Sequence, residues 1–290
     1  MQPGDELIEV FAAEQPRAVR DAALVLSAMA IEHSVERRAH LWCLVVPPHA
    51  QADAHEQLDL YWQENNTRPT PATTVDVVDS GWWGVLGYLC VIWAIPTWQS
   101  FTYTDLRAAG VLHAGAVMDG ELWRAVTALT LHADIGHIFS NSLFGAIFGL
   151  FVGRYLGSGF GWLLVLCCGI LANGLNAMIS PDPFRALGAS TATFAALGLV
   201  PAFGWRRGYF RGRGWVRGFA PIFGAIALLS FTGFGGENID VFGHLFGFAF
   251  GLGAGLLFAH TDLAGKSQAD QQRAAGLAIA IVVVAWLYAV

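Results

Sequence analysis

Charged residues are scarce in this sequence: Asp, Glu, Lys and Arg make up only 13% of its 290 residues, while 55% are hydrophobic. Soluble globular domains contain about 25% charged residues. So low a charge content excludes a water-soluble enzyme with a fully charged surface, and the hydrophobic content excludes a disordered chain. The sequence also lacks a basic stretch interleaved with aromatic residues, which argues against a nucleic-acid partner.

Cysteine is scarce as well. The four cysteines form no CxxC motif and do not have the spacing of metal ligands. Three of them, Cys90, Cys167 and Cys168, lie in apolar stretches, where a free cysteine behaves as a small hydrophobic residue. We therefore expect neither a metal nor any other cofactor.

The charges that are present are concentrated at one end of the chain. Residues 1–80 contain 13 of the 22 acidic residues and 5 of the 16 Lys and Arg, a net charge of −8. Residues 81–290 have a net charge of +2. We interpret the chain as a small acidic part outside the membrane and a larger part embedded in a lipid bilayer.

Residues 1–66 are predicted to form a small α+β domain. The pattern gives, in order, strand 8–12, helix 16–29, strand 32–35, strand 41–46 and helix 49–65. Residues 67–80, which continue a stretch rich in Thr, Pro and Asn, are predicted as a linker. Because the N-terminus lacks a basic region followed by an apolar one, we expect no signal peptide and a cytoplasmic location. No motif identifies a partner for this domain.

From residue 81 onward the sequence predicts an all-α polytopic membrane protein. Its apolar stretches are long enough to cross about 30 Å of hydrocarbon at about 1.5 Å per residue. They cover residues 81–98, 136–155, 160–179, 188–205, 218–234, 241–259 and 274–290. Residues 81–259 would form a six-helix core, and residues 260–290 a cytosolic loop and a seventh transmembrane helix. The apolar segment 99–134 should fold on itself and lie partly in the membrane interface.

The orientation follows from the arginines. Residues 205–217 contain five arginines and no acidic residue, so this loop should face the cytoplasm. Alternation of the spans then gives a cytoplasmic N-terminus and an external C-terminus in the cell membrane. The loops 180–187 and 235–240 would face outward.

Polar side chains inside apolar spans are candidates for function, because they are costly in hydrocarbon. His137 and Asn141 are four residues apart and share one face of the second span. His132 lies shortly before this span, near its outer mouth. In the sixth span, His244 is followed by glycines that allow close packing against another helix, at Gly247, Gly251 and Gly255.

Ser190 lies at the start of the fourth span, among the small residues Gly188, Ala189 and Gly198. These small residues should allow another helix to approach closely. Ser190 and His244 are each two or three residues from the outer end of their spans, so they should lie at the same depth. A serine beside an imidazole is a nucleophile with its base, and donors nearby would form an oxyanion hole.

Other interpretations of these residues exist. A serine in a membrane helix normally bonds back to its own helix, and the glycine stripe alone indicates only helix packing. A metal site of His132, His137 and His244 would lack an acid or cysteine to complete it. A proton-coupled transporter would have an acidic residue at mid-membrane and repeated halves, and this sequence has neither.

Taken together, these motifs resemble those of the rhomboid intramembrane serine proteases. The resemblance rests on four ordered motifs within residues 81–259: Glu121-Leu-Trp123-Arg124, His132…His137…Asn141, Gly188-Ala189-Ser190, and His244-x-x-Gly247-x-x-x-Gly251. It implies a six-helix fold, to which a seventh helix and a cytosolic N-terminal domain are often added.

The resemblance also implies a role for each residue. Ser190 would be the nucleophile and His244 its general base, while His137, Asn141 and the Ser190 backbone N–H would stabilise the oxyanion. Phe194 would pack on the catalytic histidine. Trp123 and Arg124 would anchor the first loop without taking part in the chemistry. The expected substrates are transmembrane proteins, cut in or near their transmembrane helix; the alternative is an inactive rhomboid relative that binds transmembrane clients.

Two positions depart from the family's pattern. Thr191 stands where glycine usually follows the nucleophile, and Gly243 replaces the alanine before the histidine. The β-branched Thr191 is expected to reshape either the oxyanion site or the contact between the fourth and sixth spans. Gly243 would offset this by leaving more room.

Overall fold

The computed structural model describes residues 7–65, 77–209, 240–261 and 266–290. Its contacts group residues 1–74 into one unit, and the described residues from 77 onward into a second. The predicted fifth span, 218–234, and residues 67–76 of the predicted linker lie outside the described residues.

The first unit contains the predicted α+β elements. Its three strands form an antiparallel sheet in the order β1-β3-β2. Two helices pack on this sheet, the first of them starting with a proline whose fixed φ suits a helix start. The elements are β1 (Ile8–Ala13), α1 (Pro16–Ala28), β2 (Ser34–Arg38), β3 (Leu41–Val46) and α2 (Gln51–Asn65).

The second unit is built from long helices. These are α3 (Trp82–Gln99), α7 (Ile135–Leu156), α8 (Phe160–Ile179), α9 (Ser190–Arg207), α10 (Val241–Phe258) and α11 (Gln268–Ala289). Among the described residues, α7, α8, α10 and α11 are long and apolar enough to cross a membrane. The chain is therefore a membrane protein.

Helix α11 begins at Gln268, six residues before the predicted span 274–290. Ser267 caps this helix, because its hydroxyl accepts a hydrogen bond from the Asp270 backbone N–H at 3.2 Å. Asp270 lies in the first turn, where a carboxylate is favourable, and it pairs with Arg273 at 3.2 Å. A count of apolar residues does not include this charged start of the helix.

Between α3 and α7 the chain folds into short elements, as expected for segment 99–134. They are α4 (Leu106–Gly110), β4 (Leu112–His113), α5 (Ala114–Met118), α6 (Arg124–Thr127) and a 3-10 turn, Ala128–Thr130. Strand β4 pairs with β5 (Arg185–Ala186), which lies shortly before α9. Through this pairing the first loop reaches the start of the helix that begins with Ser190.

The contact between α9 and α10 is a backbone-to-backbone contact. Gly247, Gly251 and Gly255 each lie against a backbone carbonyl of α9, those of Thr191, Ala195 and Leu199 respectively. In return, Gly198 of α9 lies against the carbonyl of Phe248. A Cβ atom at any of these four glycines would collide with that carbonyl, so the two helices approach as closely as two helices can.

Replacing Gly251 by alanine should destabilise the protein. The added methyl group would meet the Ala195 carbonyl, and overpacking of this kind costs about 1–3 kcal/mol. We expect a melting temperature several degrees lower in detergent. Gly253→Ala is the matched control, because the space beside Gly253 is open; an equal loss in both variants would contradict the packing argument.

Candidate active site

Ser190 is the first residue of α9, and the backbone conformation of Gly188 directs the chain into the start of this helix. Gly188 has φ of +134°, a conformation that L side chains rarely adopt. Its N–H donates to the Ala128 carbonyl at 2.9 Å, which ties this segment to the first loop. Because Ser190 begins the helix, its own N–H has no acceptor one turn earlier in the helix.

His244 lies in the first turn of α10. Asp240 caps this helix: its carboxylate accepts from the Gly243 N–H at 2.8 Å and from Asn176 Nδ2 of α8 at 2.8 Å. The His244 backbone N–H donates to the Asp240 carbonyl at 3.1 Å. The cap therefore fixes where the helix begins, and with it the height of the imidazole.

The structure brings Ser190 and His244 into hydrogen-bond contact. Ser190 Oγ lies 2.9 Å from His244 Nε2, although the two residues are 54 positions apart. His244 is 7% exposed. Phe194, one turn after Ser190, packs on the imidazole with ring centroids 4.4 Å apart. A hydroxyl at this distance from an imidazole nitrogen can lose its proton to it.

His137 approaches the same place from α7. Asp134 caps this helix, with its carboxylate accepting from the His137 N–H at 2.8 Å. A Cβ atom at Gly188 would lie 2.8 Å from His137 Nε2 and 3.4 Å from Ser190 Oγ. The His137 ring and the Ser190 hydroxyl thus both border the space beside Gly188. His137 Nδ1 accepts from the Ala133 N–H at 3.4 Å, which leaves Nε2 to carry the ring proton.

His132 neighbours His137 and does not contact the serine. Their rings are 5.2 Å apart and nearly perpendicular. Burial, and then the proximity of His137, lower the pKa of His132 to about 4, so its ring is neutral at pH 7.

Asn141 lies one turn after His137 and is 6% exposed. Its side-chain Nδ2 has no hydrogen-bond partner among the described residues. Its backbone carbonyl accepts from the Tyr88 hydroxyl at 2.8 Å, which ties α3 to this position. A buried amide donor without a partner is costly, so Asn141 offers a donor that an acceptor on a bound molecule would satisfy.

Two glycines near the site are required by contacts other than those predicted from the sequence. Gly188 was expected to let another helix approach; instead, its backbone conformation and the His137 ring exclude a side chain. Gly243 was expected to leave room for Thr191, but the Asp240 carboxyl group occupies the space beside it. Thr191 is buried at the contact between α9 and α10, where its methyl group lies beside Gly247.

Trp123 and Arg124 lie in the first loop and have different partners. Arg124 pairs with Glu121 at 2.5 Å and donates to the carbonyls of Ala108 and Val111 at 3.0 and 2.9 Å. The Trp123 ring stacks with that of Tyr288 in α11, with centroids 6.5 Å apart. Arg124 thus bonds within the loop and Trp123 contacts the C-terminal helix; the anchoring role of both residues stays a prediction.

Several residues that shape this site were not singled out from the sequence. Asn176 is a polar residue inside an apolar span, so the rule that identified His137 would also have found it. Asp240 stands three residues before Gly243, the spacing of a helix cap. Tyr88 gives no such signal, since its role depends on a contact with a distant helix. Among the described residues, no three His, Cys, Asp or Glu side chains form a cluster that could hold a metal.

Comparison with known proteins places this geometry in a family. A model of the Rhomboid domain matches residues 119–261, which contain every predicted site residue. The chain is 34% identical over 144 residues to rhomboid protease GluP of Bacillus subtilis, covering 49% of this chain and 27% of that protein. It is 29% identical over 163 residues to the putative rhomboid protease YdcA of the same organism, covering 56% of this chain and 80% of that protein.

A third relative comes from a distant organism. Rhomboid-like protease 1 of Toxoplasma gondii is 32% identical over 162 residues, which cover 53% of this chain and 55% of that protein. The chain thus spans only part of two of these three relatives. The matched region in all three is about half of this chain. On the family match and these relatives, the chain belongs to the rhomboid family.

Proposed function

We propose that this chain is an intramembrane serine protease that cleaves membrane-protein substrates in or near their transmembrane segment. The observation that carries the proposal is the 2.9 Å contact between Ser190 Oγ and His244 Nε2 in the rhomboid domain. The relatives support it, because each is named as a protease or a putative protease.

The reaction would proceed through an acyl-enzyme. His244 Nε2 takes the hydroxyl proton while Ser190 Oγ attacks the peptide carbonyl carbon, and His244 then gives that proton to the leaving amine. The Ser190 ester remains. Water, deprotonated by the same imidazole, attacks the ester; the ester bond breaks, His244 returns the proton to Ser190 Oγ, and the second fragment leaves with a new carboxyl group. The protons balance over the two half-reactions, and no metal or other cofactor takes part.

The oxyanion of each tetrahedral intermediate would be stabilised by three donors. These are the Ser190 N–H at the start of α9, the Asn141 amide, and Nε2–H of His137. Fixed donors in a site with little water are worth more than in bulk solvent. Thr191 does not interfere with them, because its side chain packs at the α9–α10 contact.

The same orientation that the arginines predict would open the site to the outer side of the cell membrane. The three helix starts that carry Ser190, His244 and His137 would then face that side, so that water can reach the acyl-enzyme. A substrate helix must unwind to expose its carbonyl, because helical carbonyls are hydrogen-bonded internally. We therefore expect small or helix-breaking residues near the cut.

Replacing Ser190 or His244 by alanine should abolish both substrate cleavage and labelling by a serine-reactive fluorophosphonate. Removal of either member of such a pair leaves the reaction without its nucleophile or its base. Ser100→Ala is the control, because the exposed Ser100 hydroxyl bonds back to the Thr97 carbonyl at 2.6 Å. Normal cleavage by Ser190→Ala would exclude the assignment. Failure of the unmodified protein to label would favour the inactive, client-binding alternative.

Replacing Asn141 by alanine should lower kcat by about 10²-fold, the effect of losing one oxyanion donor. Its melting temperature should change little, because Asn141 Nδ2 has no partner among the described residues to lose. Asn173→Ala makes the opposite comparison: Asn173 Nδ2 donates to the Ala125 carbonyl at 3.0 Å, so stability should fall. A stability loss without a kcat loss in Asn141→Ala would contradict the proposed role.

The orientation can be tested with reporter fusions. With a cytoplasmic N-terminal domain and seven spans, alkaline phosphatase fused after Val290 should be active, and a green fluorescent protein fused there should be dark. The reverse result would show that the C-terminus is cytoplasmic, and hence that the predicted number of spans or the predicted orientation is wrong.

A further inference from the structure

The C-terminal helix α11 is attached to the rest of the second unit by specific hydrogen bonds near both of its ends. Near its start, Gln271 Oε1 accepts from the Gly159 and Phe160 backbone N–H groups, both at 3.0 Å. These are N–H groups at the start of α8 that have no acceptor within their own helix. Cβ atoms at Gly157 and Gly159 would collide with Gln271, so this contact needs two glycines.

Near the other end of α11, Trp286 enters the first loop. Its ring is 4% exposed and packs with Ile95, Leu106 and Leu131. The ring lies close enough to Gly110 that a Cβ there would be 2.6 Å away. Its Nε1–H donates to Thr130 Oγ1 at 3.0 Å, and Thr130 is 3% exposed. This is a fully buried side-chain hydrogen bond between residues 156 positions apart.

Thr130 connects Trp286 to the backbone of the first loop. Its hydroxyl accepts from Trp286 and donates to the Thr127 carbonyl at 2.7 Å. Thr127 in turn donates from Oγ1 to the Gly110 carbonyl at 2.7 Å. Because each hydroxyl has one proton, accepting from Trp286 directs the Thr130 proton toward Thr127. The indole therefore sets the conformation of the 3-10 turn Ala128–Thr130.

That turn holds both sides of the proposed active site. On one side, the Ala128 carbonyl accepts from the Gly188 N–H at 2.9 Å, two residues before Ser190. On the other side, the turn continues directly through Leu131 to His132, whose ring contacts His137. A displacement of the turn would thus strain the bond to Gly188, whose backbone lies beside the His137 ring and two residues before Ser190.

We propose that Trp286 is a positioning residue for the protease reaction: through its hydrogen bond to Thr130 it fixes the turn that aligns Gly188 and His137 with Ser190. The inference rests on the proposed function, and it deepens it. Under this proposal, the C-terminal helix helps to align the active site through Trp286, although it does not supply a residue to the Ser190–His244 pair.

The test measures how fast Ser190 reacts with a fluorophosphonate in the purified full chain, together with the fraction that reacts and the melting temperature. Trp286→Phe keeps an aromatic ring at this buried position and removes the indole donor together with part of the ring's volume. We expect the labelling rate to fall about fivefold, the scale of one buried hydrogen bond. The labelled fraction should stay unchanged, since the folded protein remains competent.

Thr130 provides the matched series. Thr130→Ser keeps the hydroxyl and should label at the normal rate. Thr130→Val loses the bond from Trp286 and also the bond to the Thr127 carbonyl, so it should be at least as slow as Trp286→Phe. The double variant Trp286→Phe with Thr130→Val should be no slower than Thr130→Val alone, because the bond between the two side chains is already lost in that variant. Tyr288→Phe is the control on the same helix: it keeps the ring that stacks with Trp123 and should label normally.

These measurements distinguish a positioning role of Trp286 from a purely structural one. A Trp286→Phe rate within twofold of normal, or a loss confined to the labelled fraction and melting temperature, would show that Trp286 only stabilises the fold. Additive slowing in the double variant would show that the two side chains act independently. Failure of the unmodified protein to label at Ser190 would instead overturn the proposed function itself.

Discussion

The close approach of α9 and α10 is the contact on which the site depends. Ser190 begins one helix and His244 lies in the first turn of the other, so the distance between the helices sets the distance between the two side chains. Gly247, Gly251 and Gly255 reduce that distance to backbone contact. A larger residue at any of them would press the helices apart, and the 2.9 Å hydrogen bond between Oγ and Nε2 would be expected to lengthen. The packing of the glycines thus determines how close the Ser190 hydroxyl and the His244 imidazole lie.

Around this contact, helix caps fix the remaining geometry. Asp240 and Asp134 each cap the helix that carries a histidine of the site, so each histidine has a defined height at the mouth of its helix. The first loop then joins these ends: it pairs with the segment before α9 through β4 and β5, and it bonds to Gly188 through Ala128. The helix ends and the loop are thus joined by hydrogen bonds, while the glycine contacts lie further along α9 and α10.

Much of this arrangement could be predicted from the sequence, because its signals are local. The shared face of His137 and Asn141 and the glycine stripe follow from spacing along single helices and from the cost of polar groups in hydrocarbon. Ser190 and His244 can be paired because both lie near the outer ends of their spans. Contacts between distant elements that have no such signal could not be predicted. Tyr88 and Trp286 look like ordinary aromatic residues of apolar spans, and their partners are a backbone carbonyl and a loop hydroxyl. The reason for Gly188 was also missed, since a positive φ has no signature in one sequence.

The glycine stripe has a mechanical consequence. The α9 carbonyls at residues 191, 195 and 199 each face a position of α10 without a Cβ atom. The two helices therefore pack in one register. Sliding one past the other by even the rise of one residue, about 1.5 Å, would misalign all three contacts at once. Ser190 and His244, the proposed nucleophile and base, are therefore expected to move together. In the proposed reaction, an opening for a substrate helix would then come from elements that lack these glycine contacts.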